Sequence, residues 1–140
     1  MGQLSILLSC LAAWFLSQVV KALLNLWQHR ELNPLQAIFA TGGMPSAHAA
    51  SVSALAAAIF LYEGVSTAFA VAAILMFVTL RDAVGVRLAA GEQAQLLNEL
   101  VVKLNYDHPP LHVAHGHTVA QVAVGVLVGL VAAIIVMGLM

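Results

Sequence analysis

Apolar residues run almost unbroken through four stretches of this chain, and polar residues gather between them. Leu4 to Trp27 is apolar except for its serines, Gln18, Lys21 and Asn25. At about 1.5 Å rise per residue, a helix of this length crosses a hydrocarbon core of roughly 30 Å. Pro45 to Tyr62 predicts a second span, rich in Ala and Ser, with Pro45 at the first helical position and Glu63-Gly64 at its end. Val65 to Leu80 predicts a third, continuing helical to about Ala90. Thr118 to Met140 predicts a fourth, interrupted only by Gln121.

Two further segments are not spans. Asn33 to Ala40, with Pro34 near its start, is too short and reads as a surface or re-entrant helix. Gly91 to Asn105 places Leu97, Leu100, Val101 and Leu104 on one helical face, the pattern of an amphipathic helix lying in the membrane interface, a pattern that an ordinary packing helix shares. The fold class is therefore all-α. It is an integral membrane helical bundle of about four transmembrane helices, with a short re-entrant or surface helix and an interfacial amphipathic helix. Residues 1–140 read as one membrane-embedded domain. Small residues in the second span predict a central, closely packed helix. Gly125 and Gly129 form a small-residue pair four apart that serves packing within the chain or between subunits, so a homo-oligomer is among the expectations.

Composition agrees with this pattern and excludes some functions. The 140 residues are 62% hydrophobic and 8% charged, far more apolar than a soluble domain. The net charge of −1 gives no basic surface for nucleic acid. The single Cys10 lies in an apolar run and forms no disulfide framework. Met1 to Trp14 lacks a basic leader and a small-residue cleavage site, so it does not read as a removed signal peptide.

The four spans provide a topological test. The first ends on one membrane face, the second starts there, the third ends there and the fourth starts there. Three polar motifs fall at those last three places: Gly42 to His48, Arg81 to Arg87, and Gly116-His117-Thr118. Lys21 and Arg30 lie at the end of the first span, on the same face. The spans follow from hydropathy alone, so this convergence independently supports a single site. Lys21, Arg30, Arg81, Arg87 and Lys103 all belong to that face, and the positive-inside rule assigns it to the cytoplasm. The expected location is a bacterial-type plasma membrane.

The motifs carry a phosphate-handling chemistry. Gly42 and Gly43 let backbone N–H groups converge on an anion, and Ser46 opens a helix whose N-terminus is partially positive. His48 sits in the first turn. Gly116-His117-Thr118 repeats the arrangement at the fourth span. Two imidazoles at one pocket allow one to attack phosphorus while the other protonates the leaving alkoxide. Lys and Arg neutralise the phosphoryl oxygens. Asp82 can accept an imidazole N–H, or can form an ion pair with Arg81 or Arg87. Asp107, His108, His112, His115 and His117 are dense in metal-ligating types. Pro109-Pro110 interrupts them and no standard spacing appears, so no metal is assigned.

Gly42-Gly43-Met44-Pro45-Ser46-Ala47-His48, then Asp82 to Arg87 running into Ala90-Gly91-Glu92-Gln93-Ala94 and Leu97-Asn98, then Gly116-His117 and Gln121-Val122 resemble the divergent branch of the type-2 phosphatidic acid phosphatase superfamily. The resemblance covers about Lys21 to Gly129. It implies a lipid phosphate phosphatase needing no cofactor, with His117 as nucleophile and His48 as general acid. It further implies Ser46 as a phosphate ligand, Lys21 as the phosphate-binding lysine and Arg30 as a looser match to the accompanying arginine. The departures are specific. The superfamily's last motif carries Asp four residues after the nucleophile, where this chain has Gln121, and no Arg lies between Leu111 and Gly116. Asp82 and Arg87 are the expected substitutes.

The reading is a membrane phosphatase acting on a lipid phosphate or pyrophosphate through a phosphohistidine. Its catalytic residues are His117, His48 and Asp82, and its phosphate-binding residues are Lys21, Gly43, Ser46, Arg81, Arg87 and Arg30. The alternative, which Gln121 favours, is a non-catalytic anion-binding or transport protein of the membrane.

Overall fold

The computed structural model describes residues 2–27, 43–111, 113 and 116–140. Among the described residues five helices follow in order: α1 Gly2–Trp27, α2 Ala47–Glu63, α3 Thr67–Val84, α4 Val86–Lys103 and α5 Val119–Leu139. Gly42, Arg30, the segment Asn33 to Ala40, His112 and His115 lie outside the described residues.

Among the described residues, three stretches are long and apolar enough to cross a membrane: Gly2–Leu24, Thr67–Lys103 and Val119–Leu139. The 17 residues of α2 form a shorter apolar helix. The second stretch, Thr67–Lys103, is two helices, because α3 closes at Gly85 and α4 opens immediately after it. The amphipathic segment expected from Gly91 therefore begins five residues earlier, at Val86. Hydropathy misses this boundary because Val84 and Val86 are as apolar as the span they follow.

α2 is the central helix, as its composition predicts. Ala50, Ala54 and Ala58 pack against Ala13 of α1 and against Ala132 and Ala133 of α5. Ala49 meets Ala83 of α3 and Val122 of α5, while Ala56 and Ile59 meet Ala72 of α3. Methyl side chains at these positions let backbones approach closely, which is how helices associate where lipid competes for every larger apolar surface. The glycine pair is spent within the chain. A Cβ at Gly125 would meet the Ser46 carbonyl, and one at Gly129 would strike the Ala50 carbonyl. Outward faces carry Leu7, Phe15, Ile74, Phe77, Leu127 and Ile134, each more than half exposed, as suits a lipid-facing surface.

These contacts fix the directions of the helices. Gly2 lies against Tyr62 and Gly43 lies over Lys21, so α1 runs antiparallel to α2. Ala83 pairs with Ala49 and Ala72 with Ala56, so α3 is also antiparallel to α2. Gly125 and Gly129 follow Ser46 and Ala50 in step, so α5 runs parallel to α2. The N-termini of α2 and α5, the C-terminus of α3 and the Lys21 region of α1 therefore share one end of the bundle.

Candidate functional site

That shared end is built around two capped helix N-termini. Ser46 is the N-cap of α2, its hydroxyl accepting the Ala49 N–H at 3.4 Å. Pro45 consequently precedes the helix and does not occupy its first position, because the hydroxyl of Ser46 supplies the acceptor that begins the helix. Thr118 caps α5 reciprocally with Gln121. The Gln121 N–H donates to Thr118 Oγ1 at 3.3 Å, and the Thr118 N–H donates to Gln121 Oε1 at 3.0 Å. The Ser46 N–H donates to the Gln121 carbonyl at 3.2 Å and fastens one N-terminus to the other.

His117 immediately precedes the Thr118 cap. Its N–H donates to the Ala83 carbonyl at 3.1 Å, which ties it to the last turn of α3. The side chain is 7% exposed, and its Nδ1 is buried with no hydrogen-bond partner. Burial pushes its pKa below the ordinary 6.5, and the positive charges of Lys21, then His48, then Arg87 push the same way. Those three groups thus lie close enough to His117 to act on it, although they come from three different helices. The imidazole is held neutral at neutral pH.

Lys21 is 4% exposed, a costly place for an ammonium in an apolar bundle. Gly43 borders it: a Cβ at Gly43 would sit 3.9 Å from Lys21 Cγ and Cδ. The backbone at Gly43 has φ +81°, which glycine adopts without strain. His48, in the first turn of α2, is exposed. Arg87 reaches back to Asp82, its Nε donating to Oδ2 at 2.5 Å.

The sequence-derived residues are therefore mostly gathered. Lys21, Gly43, Ser46, His48, Arg87 and His117 meet at one end. Arg81 is exposed in the last turn of α3 and is not among the charges that bear on His117. Arg30 falls outside the described residues. Asp82 does not hold the His117 ring: its carboxylate takes the Arg87 guanidinium, a stronger and always-charged donor, while His117 Nδ1 keeps no partner. Ser46 is wholly buried, and its oxygen serves as a helix cap. Among the described residues, no three His, Cys, Asp or Glu side chains form a group that could hold a metal.

Sequence reasoning missed the task of Gln121. Thr118 followed three residues later by Gln121 is a capping-box pattern and was visible in the sequence. It occupies the carboxamide and explains why Gln121 does not stand in for an aspartate beside the imidazole.

Fold and site together define a helical membrane protein with a cluster of basic and histidine side chains at one end of its bundle. Residues 3–132 match the Divergent PAP2 family, and the chain belongs to it. A relative named "Uncharacterized membrane protein YuiD", from Bacillus subtilis (strain 168), is 45% identical over 100 residues, which cover 71% of this chain and 63% of that protein. No solved structure matches.

Proposed function

We propose that this protein is a membrane phosphatase that hydrolyses a lipid phosphate or pyrophosphate through a phosphohistidine. The observation that carries the reading is the convergence of Lys21, His48 and Arg87 on a buried, neutral His117 between two helix N-termini. Phosphate binds as an anion at such ends, where N–H groups and helix dipoles face it. The buried ammonium of Lys21 adds positive charge at that end of the bundle.

In this mechanism a ring nitrogen of His117 attacks phosphorus. The bond from phosphorus to the leaving oxygen breaks, and protonated His48 gives that oxygen its proton. Water then attacks the phosphohistidine as His48 takes a proton from it, and the P–N bond breaks to release phosphate. Lys21 and Arg87 neutralise the equatorial oxygens in both steps. Asp82 positions Arg87 in this scheme. The site lies on the cytoplasmic face, with the headgroup at the polar end and the acyl chains along the exposed apolar helix faces.

Phosphate release from phosphatidate and from polyprenyl phosphates or pyrophosphates by the reconstituted protein tests this. His117→Ala should abolish turnover and His48→Ala should lower it by about 10²–10⁴-fold. Undiminished turnover in both variants would rule the mechanism out.

A second reading is a phosphate-binding or transport protein that does not turn over. The absence of a carboxylate on His117 Nδ1, with Gln121 committed to its cap, favours it. Vanadate binding without hydrolysis of any lipid phosphate distinguishes the two.

A further inference from the structure

We propose that Asn98 is a positioning residue for His117, acting through a latch between α4 and the loop that carries the imidazole. The proposal rests on the reading of the site as an anion pocket. Asn98 lies in the second half of α4 and makes two hydrogen bonds to one residue. Its Nδ2 donates to the Leu111 carbonyl at 3.0 Å, and the Leu111 N–H donates to its Oδ1 at 2.7 Å. A carboxamide presents a donor and an acceptor side by side, matching the two polar groups of a single backbone residue. Carboxylates lack the donor and hydroxyls lack the span.

Leu111 belongs to the connection between α4 and α5. This connection is irregular and exposed from Asn105 to Leu111, and Asn105 has φ +50°. Closer to α5 the same connection meets the α3–α4 unit twice more. Gly116 lies against the Leu88 backbone with no room for a Cβ, and the His117 N–H bonds to the Ala83 carbonyl. The approach to His117 is thus stitched at Asn98, Leu88 and Ala83. Among the described helices α4 packs against α3 alone, and the Asn98 latch ties its far half to the connection that follows it.

Leu111 lies six positions before His117, so fixing it limits where the chain can carry the imidazole to a reach of about 20 Å, on top of the contacts at Leu88 and Ala83. A shorter tether confines the ring to fewer positions. An anion pocket needs its contacting groups held to within about 0.5 Å.

The test uses the full chain in nanodiscs, with orthovanadate as probe and amide exchange read in the same samples. Asn98→Ala should speed exchange at Leu111 and His117 by about tenfold or more and weaken vanadate binding about tenfold, while the melting of the helical bundle stays put. Asn98→Asp keeps the acceptor for the Leu111 N–H and loses the donor, so it should fall between. It also serves if the alanine variant fails to fold. Unchanged exchange at His117 overturns the proposal, and so does faster exchange with vanadate affinity intact, which would make Asn98 a tie of the loop alone. Wild-type protein that binds no vanadate overturns the anion-pocket reading and this proposal with it. Equal vanadate binding by wild type and both variants overturns this proposal alone.

Discussion

Ser46 donates its backbone N–H to the carbonyl of Gln121 at 3.2 Å, so the first residues of α2 and α5 are joined directly. Both helices then run the same way from that joint, and their positive ends point to the same place. His48 and His117, 69 positions apart in the chain (117 − 48), become neighbours because these two helix starts are one structural unit.

The joint depends on close approach further down the two helices. Gly129→Ala forces a Cβ into the Ala50 carbonyl, where backbone cannot yield cheaply. It should destabilise the bundle by about 1–3 kcal/mol, seen as a lower melting temperature in detergent. A thermal shift indistinguishable from wild type would show that the helices are not packed this tightly.

Lys21→Met should separate stability from function. It removes an ammonium that is 4% exposed and substitutes an apolar side chain of similar length. The variant should keep its helical content by circular dichroism yet lose most vanadate affinity, measured by titration calorimetry.

Asp82→Asn tests where that carboxylate acts. Its ion pair with Arg87 is half exposed, a class of interaction worth about 0–1 kcal/mol. Anion affinity should fall only a few-fold, and the pH dependence of His117 should be unaltered. A collapse as deep as that of His117→Ala would mean Asp82 holds the imidazole after all.

His117 should also make the bundle acid-sensitive. Its folded pKa lies below 6.5, by burial first and by Lys21, His48 and Arg87 next, so the unfolded chain binds its proton more readily. Stability from this residue is complete above pH 6.5 and is lost as pH falls from there through the lowered folded value. His117→Gln should flatten this part of a melting-temperature profile. Bound vanadate, by adding negative charge beside the ring, should raise the folded value back toward 6.5 and so shrink this acid loss.

Thr118→Ala removes one half of the reciprocal cap at the start of α5. It should cost about 1 kcal/mol and loosen His117, the residue just before it. Faster amide exchange confined to residues 117–121 is the expected signature, and exchange spread evenly over α5 would contradict it.

Much of this was legible in the sequence. The spans of α1 and α5 follow from runs of apolar residues long enough to cross lipid, the shorter α2 follows from its own apolar run, and its centrality follows from its alanines. Four alternating spans were enough to bring Lys21, His48, Arg87 and His117 to one end, because each crossing reverses the chain. The sequence also determined the chemistry on offer, since few polar residues survive in so apolar a chain without a task.

Tertiary structure decided how those residues are partnered. Asp82 takes Arg87 and leaves His117 Nδ1 without a partner, a choice set by side-chain reach at the Gly85 break between α3 and α4. Gln121 closes a cap in place of orienting a ring, and Gly125 and Gly129 serve contacts inside the chain. Asn98 finds Leu111 only because the loop folds back over α4. Hydropathy and spacing locate a residue along a helix and on a membrane face. Which of several neighbouring donors meets which acceptor depends on distances of a few ångströms between separate elements, and those exist only once the helices are packed.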